Sequence, residues 1–301
     1  MSNSDLSSVA DAGNTVIHIL EKFFPYWGLD GKALGAYIDE IKKSDKPAEV
    51  KVYEILNAKK SVKRIKNTSS ILELSSGFLS EEDIKCSSYE ENEDWFDSFF
   101  ETSGNVSDER AQIIWAKILA NEIKNKGSAP RGILRILSEI TPEIALAFSR
   151  LCEQRLIFVT LDENNEVIRS SLINEVIMFD DSDYYQNKGL SLATINELES
   201  IGLVVTSFGY YKSLHGIKKV LVSDGVFTEC MTIKDEKLDF GTLMLTKAGL
   251  YLLKIINPSY ATDQHEIMKK YYEKRHCKFE SSDKKIIVNN GQVLIAMDKQ
   301  R

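Results

Sequence analysis

Residues 107–127, SDERAQIIWAKILANEIKNKG, constrain the fold more than any other stretch of this chain. Ser107 suits a helix N-cap, where a hydroxyl accepts an unpaired first-turn N–H. Asp108 and Glu109 place negative charge at the positive end of the helix dipole, and Lys124 and Lys126 place positive charge at the other end. Gly127 supplies the left-handed residue that stops the helix. Between these ends Ala111, Ile114, Trp115, Ile118, Leu119 and Ile123 recur at three- and four-residue spacing, which makes one apolar stripe. Glu122 stands beside the stripe. A lone carboxylate there reads first as a rim residue or the partner of a neighbouring Arg, because acid–base catalysis needs a second group.

The preceding segment, DWFDSFFETSGN, packs Trp95, Phe96, Phe99 and Phe100 into six positions. So many aromatics must bury a large area, and the capped helix beyond the Gly104 turn is the nearest surface. The two segments predict a helical hairpin, with Trp95, Phe99, Trp115 and Leu119 in one core.

The run DWFDSFFETSGNVSDERAQIIWAKILANEI, followed by PRGILRILSEITPEIALAFSRL, resembles a bacterial family catalogued as domain of unknown function twenty-eight-oh-six. Asp94, Trp95, Asp108, Glu109, Trp115, Ala116, Leu119, Ala120 and Glu122 carry the likeness. It is good over residues 94–151, looser to about 256, and poor before 80 and after 258. The resemblance implies a bacterial cytoplasmic protein. Members look similar to proteins described as abortive-infection or phage-defence components, and the family offers no catalytic residue to carry over.

At 301 residues the chain can build two or three cores. Its net charge of −7 argues against general affinity for nucleic acid or anionic membrane. Cys86, Cys152, Cys230 and Cys277 are scattered singly, which suits reduced cytoplasmic thiols rather than a disulfide frame or a zinc site. The N-terminus lacks the basic start and apolar core of a signal peptide, and no run of about eighteen apolar residues exists to span a membrane.

Taken in order, residues 9–24 predict a helix ending near Pro25, where core packing outweighs membrane contact because the polar face has no basic row. Residues 34–41 and 48–65 predict two more helices. Within 41–67 nine Lys or Arg face three acids, net +6, whereas 81–110 carries eleven acids and two bases, net −9. The plainer reading pairs the basic helix with the acidic region, within one chain or across an oligomer. The sharper one makes Lys59, Lys60, Lys63, Arg64 and Lys66 a phosphate-contacting face.

Ser80 and Asp83 form a partial capping box. Short helices follow over 130–140 and 144–154, the latter opened by Thr141-Pro142. At Arg155 the pattern changes. Strands are expected at LIFVT, near 166–168 and 176–179, then at 218–223 and 242–245; helices follow Ser191 and Thr246. A helix ending LESIGLVV, a strand pair and then LTKAGLYLL together look like a winged-helix domain over about 141–256. Residues 141–260 hold eleven bases and sixteen acids, and the would-be recognition helix has Glu197 and Glu199 and no base, so protein contact ranks above DNA contact there. The tail, KKIIVNNGQVLIAM, predicts a hairpin turning at Asn290-Gly291. A lone hairpin is marginal in water, so it must pack on the body or on another chain.

There is no phosphate-binding loop, dinucleotide fingerprint or nucleophile elbow. The loop holding Tyr210, Tyr211, Lys212 and His215 could touch a partner or be a solvated tip. His265, His276 and Cys277 lie close in sequence but fall short of a metal set.

The expected fold is therefore α+β: a mostly helical N-terminal half, a winged-helix-like domain and a C-terminal helix and hairpin. The expected divisions are 1–79, 80–154, 155–258 and 259–301. The functional expectation is a non-enzymatic bacterial interaction protein of a phage-defence or stress system, without cofactor or metal, binding another protein and itself, most simply as a dimer. A winged-helix nucleic-acid binder is the alternative, and a hydrolase or nuclease without a recognisable motif is the second.

Overall fold

The computed structural model describes residues 31–80, 82–83, 93–168, 173–176, 182–206, 213–215, 217–235, 237–239, 243–261, 263–289 and 292–297. The helix expected over 9–24, Cys86 and the Asn290-Gly291 turn lie outside them. The fold is α+β, and the chain divides into two compact units, Met1–Ser138 and Glu139–Arg301.

The first unit is helical throughout its described residues: α1 (Gly31–Lys43), α2 (Ala48–Ser76), α3 (Glu93–Ser103), α4 (Glu109–Lys124) and α5 (Ile133–Glu139). Helix α2 opens after Pro47, whose fixed φ suits the entry to a helix, and no Gly or Pro interrupts its 29 residues. It runs well past the expected end at Ile65. The NTSS sequence there is poor helix material, yet Asn67, Thr68, Ser75 and Ser76 are buried with Ile71 and Leu72 under α3 and α4. Asn67 Nδ2 donates to Gly104 O at 2.9 Å, and Ser75 and Ser76 give their hydroxyls to carbonyls one turn back. Packing overrides propensity.

The aromatic hairpin forms, and α2 is its third member. Phe99 stacks on Trp95 and meets the Trp115 ring at 5.2 Å, and Phe99, Trp115 and Leu119 are fully buried. Trp95 is only half-buried, so the expected core holds three of its four members fully. Capping of α4 falls one residue later than expected. Asp108 accepts from Ala111 N at 2.9 Å, while Ser107 Oγ turns to accept from Asn67 Nδ2. Ser80 and Asp83 do form a reciprocal capping box.

In the second unit a five-stranded antiparallel sheet runs in the order β2–β1–β5–β6–β9, with β1 (Arg155–Leu161), β2 (Ile173–Val176), β5 (Lys219–Ser223), β6 (Thr228–Thr232) and β9 (Lys278–Ser281). Strand β1 is buried along its whole length, which explains why RLIFVTL reads as a continuous apolar run rather than an alternating one. The weak strand expected at 166–168 is a single bridge, Leu161 to Val167, and the next begins at Ile173, earlier than expected.

Helices α6 (Pro142–Glu153), α8 (Leu192–Ser200) and α9 (Lys247–Ile256) are capped by Thr141, Ser191 and Thr246 as read from the sequence, with α7 (Ser182–Asn187) before α8. Strands β3 (Val204–Val205) and β8 (Met244–Leu245) pair between α8 and α9, and β4 (Ser213–His215) pairs with β7 (Lys237–Asp239). Gly249 lets α9 lie on β3, since a Cβ there would sit 2.2 Å from Leu203 O.

Arg155, where the periodicity changes, is 3% exposed. Its guanidinium donates to the carbonyls of Cys152, Pro258 and Ser259 and stacks 3.8 Å over the Tyr260 ring. Helix α10 (His265–Glu273) leads to β9 and to the closing hairpin, β10 (Lys284–Asn289) with β11 (Gln292–Met297). One face of that hairpin packs on its own unit: Ile286 enters the cluster of Ile157, Val159, Leu161 and Leu221, and Ile286 N donates to Thr228 Oγ1. Its other face leaves Ile287 and Leu294 exposed, and Met297 is exposed at the strand end.

Trp115→Ala removes the largest fully buried side chain and should cost about 3–5 kcal/mol of unfolding free energy. Urea titration followed by circular dichroism reads this. A variant within a few tenths of a kcal/mol of the parent would place α4 outside the core.

Candidate functional site

Helix α2 is buried over its last third and open over the rest. Lys59, Lys60, Lys63, Arg64 and Lys66 are all exposed. Val52, Leu56, Lys59, Lys63 and Lys66 recur at three- and four-residue steps, so they share one stripe, apolar at its start and basic at its end. Tyr53 flanks the apolar end at 66% exposure, and Val52 and Leu56 are more than half exposed. At 1.5 Å per residue the lysine part spans about 10 Å.

Electrostatics separate the two ends of the basic segment. Its first members find local partners: Lys42 lies 3.1 Å from Asp39 and Lys46 2.6 Å from Glu54, the latter contact raising the Lys46 pKa. Arg64 donates from Nη2 to Glu101 O at 2.8 Å and packs on Gly104. Among the described residues Lys59, Lys60, Lys63 and Lys66 have no acidic partner. On α3, Glu93, Asp94, Asp97 and Glu101 are exposed as well. Where Arg64 meets α3 it takes a backbone carbonyl rather than a carboxylate, and Asn67 beside it takes Gly104 O and Ser107 Oγ.

The residues that carry the family resemblance are mostly structural. Asp94 is exposed; Trp95, Phe99, Trp115 and Leu119 build the aromatic core. Glu122 is no rim residue. At 2% exposure its carboxylate accepts from Gly127 N at 2.7 Å, Ala129 N at 2.9 Å and Ser128 Oγ at 3.3 Å. It folds the loop after α4 around itself, with Gly127 at φ +72°. Tyr210, Tyr211 and Lys212 lie outside the described residues, and His215 ends β4 opposite Lys237.

The structure also assembles a cluster the sequence did not show. In the β5–β6 turn Asp224, fully buried, accepts from Val226 N at 3.0 Å and Phe227 N at 2.8 Å through Oδ1. Its Oδ2 lies 3.4 Å from Nδ1 of His265, the first residue of α10. The other ring nitrogen lies 3.2 Å from Glu229, which accepts from Lys269 at 3.0 Å and so raises the lysine's pKa. Phe227 covers the imidazole, with ring centroids 4.8 Å apart. The turn needs Gly225, at φ +87°, because a Cβ would strike the Tyr260 ring at 2.4 Å.

An imidazole with a carboxylate at each nitrogen has no lone pair directed at a substrate. The arrangement ties the β5–β6 turn to α10. Among the described residues no group of His, Cys, Asp or Glu is placed to hold a metal ion. The described thiols are shielded: burial pushes Cys152 and Cys230 up and takes Cys277 up to about 11. His276 is exposed, 3.8 Å from Asp235, and forms no site with buried Cys277.

These features define a two-unit α+β protein with a basic, partly apolar helix face among its described residues. No helix among the described residues is long and apolar enough to cross a membrane. The family described as "Protein of unknown function (DUF2806)" matches residues 56–269, and the chain belongs to it. That match takes in the lysine stripe, the aromatic core and the His265 tie. Searches of curated proteins and of solved structures return no match.

Asp224→Ala removes the acceptor of two backbone amides and the carboxylate facing His265. The expected loss is about 2–3 kcal/mol, and Asp224→Asn, which keeps one acceptor oxygen, should lose less. Thermal melts of both variants give the order, and equal melting temperatures would show the turn needs neither charge nor acceptor. For the thiols, alkylation of Cys277 in the folded protein should be slow at neutral pH and still accelerate between about pH 9 and 11. A rate at pH 7.5 equal to that of free cysteine would contradict its burial.

Proposed function

We propose that this protein works through protein contacts rather than catalysis, as a cytoplasmic component of a bacterial phage-defence, abortive-infection-like or stress system that binds itself and another protein. The observation that carries the reading is the open face of α2. Lys59, Lys60, Lys63 and Lys66, without an acidic partner among the described residues, continue an exposed apolar end at Val52, Tyr53 and Leu56, on an element anchored by its buried C-terminal third. Surfaces combining aromatic, aliphatic and basic groups suit protein partners. The defence association rests on the family resemblance alone.

Nucleic-acid binding is the second reading, favoured by a different observation. Helix α6, helix α8, the short β3–β8 pair and α9 follow in the order of a winged-helix domain, with Ser191, Gly202 and Thr246 at its junctions. The charges oppose it. Glu199 holds Thr206 by hydrogen bonds to its backbone N–H and its hydroxyl, which lower its pKa, and α8 exposes Leu192 rather than a base. DNA-reading helices present Arg or Lys.

Titrating the protein against duplex DNA and RNA separates the readings. The expected result is binding no tighter than the non-specific class, about 1 μM to 0.1 mM at physiological salt. Submicromolar affinity falling steeply with salt would establish the nucleic-acid reading instead, because counterion release is its signature. Turnover of nucleotides or nucleic acids in the same samples would support a hydrolase.

A further inference from the structure

We propose that the outer edge of β11 pairs with β11 of a second copy of this chain, antiparallel about a two-fold axis through Leu294. The inference rests on the self-association in the reading above and names its surface.

The hairpin register shows which edge is open. Ile286 N donates to Thr228 Oγ1, so its N–H is directed away from β11. Backbone direction alternates along an antiparallel strand, which makes Ile286 and Ile295 a pair without mutual hydrogen bonds. The N–H and C=O groups of Ile295, and of Val293 and Met297 two residues to either side, therefore lie on the outer edge of β11. Among the described residues β11 pairs with β10 alone. Edge strands are usually blunted by a charge, a Pro or a bulge. The sequence QVLIAM has neither charge nor Pro, and Gln292–Met297 pairs with β10 in unbroken register.

The side chains specify the occupant. On the packed face Ile286, Val288, Val293 and Ile295 join the apolar cluster, while on the other Ile287 and Leu294 form a cross-strand pair left 42% and 51% exposed. Setting Leu294 opposite its own copy puts Val293 opposite the second copy's Ile295, where the outward N–H and C=O groups of each strand meet their complements. The exposed row then runs Ile287, Leu294, Leu294, Ile287 across four strands. The packed rows run Val288, Val293, Ile295, Ile286. Lys284 and Lys285 stay on the outer strands, so no charge of the described hairpin meets its like across the axis. A second copy thus supplies both the backbone partners and the apolar neighbours that this edge lacks, as in strand addition generally. Six residues make an edge of about 20 Å, which covers less than the roughly 1,000 Å² of a stable interface. The dimer is accordingly a weak one.

The test is sedimentation velocity on the full chain over about 10–500 μM, where a monomer–dimer equilibrium of the weak class is expected. Because the contact is backbone and apolar, its strength should change less than about twofold between 50 and 500 mM NaCl. Leu294→Lys and Leu294→Glu alter an exposed side chain, so each should keep the parent's melting temperature. Each alone is expected to weaken the dimer at least about tenfold, because like charges then face each other on the axis. Their equimolar mixture is expected to restore dimers. Leu294→Cys should form a disulfide-linked dimer under diamide while the parent does not, since opposite residues of such a pair have Cα atoms about 4.5 Å apart. A parent that stays monomeric at 500 μM overturns the pairing and self-association with it. A parent dimer that dissolves in salt, or that is indifferent to both charged variants, overturns this edge and leaves self-association standing. Charged variants that fail to rescue each other, or Leu294→Cys without a linked dimer, also overturn it. None of these substitutions touches α2, so contact with another protein through that face stands or falls separately.

Discussion

Burial of the Asn67–Ser76 end of α2 beneath Phe99, Trp115 and Leu119 is the constraint on which the first unit depends. Within proteins, helices owe most of their stability to tertiary packing rather than propensity, and NTSS is weak helix sequence. The aromatic residues of α3 and α4 hold that end rigidly, and rigidity propagates along an uninterrupted backbone to residues that bury little. The stretch around Val52–Lys66 is thus ordered without being covered. An exposed helix with a fixed direction can present a pattern; a loop of the same composition cannot hold lysines at defined spacing.

The sequence made the elements with strong local signatures plain. Thr141, Ser191 and Thr246 cap their helices because hydroxyl acceptors act within three residues. The closing hairpin was legible for the same local reason. Where tertiary packing decides, the reading slipped. Nothing in NTSSILELSS announces that polar side chains will be buried, since Asn67 is satisfied by Gly104, far away in the chain. Ser107 and Asp108 are equally good acceptors by sequence, and the cap falls to Asp108 because Asn67 engages Ser107.

The lysine stripe is legible as a charge imbalance, but its lack of an acidic partner among the described residues is not, because pairing depends on which helices meet. The tie among Asp224, His265, Glu229 and Lys269 left no trace beyond a Ser-Asp-Gly turn. Its members come from a strand pair and a distant helix, and no spacing rule joins them. The family resemblance pointed to Trp115 and Glu122 without their reasons: one is the centre of an aromatic core, the other the acceptor that gathers a loop.

A pattern in the use of carboxylates links these cases. Glu122 and Asp224, the most deeply buried acids, are directed at backbone amides, and Glu199 at the amide and hydroxyl of Thr206. Burying a charge is costly unless it is hydrogen-bonded, so inside this protein such groups are consumed by the fold. The imidazole of His265 is likewise set between two carboxylates, Asp224 and Glu229. The charges left for intermolecular work are the exposed ones. Basic ones gather on α2 and acidic ones on α3, and the two helices meet where Arg64 donates to the Glu101 carbonyl.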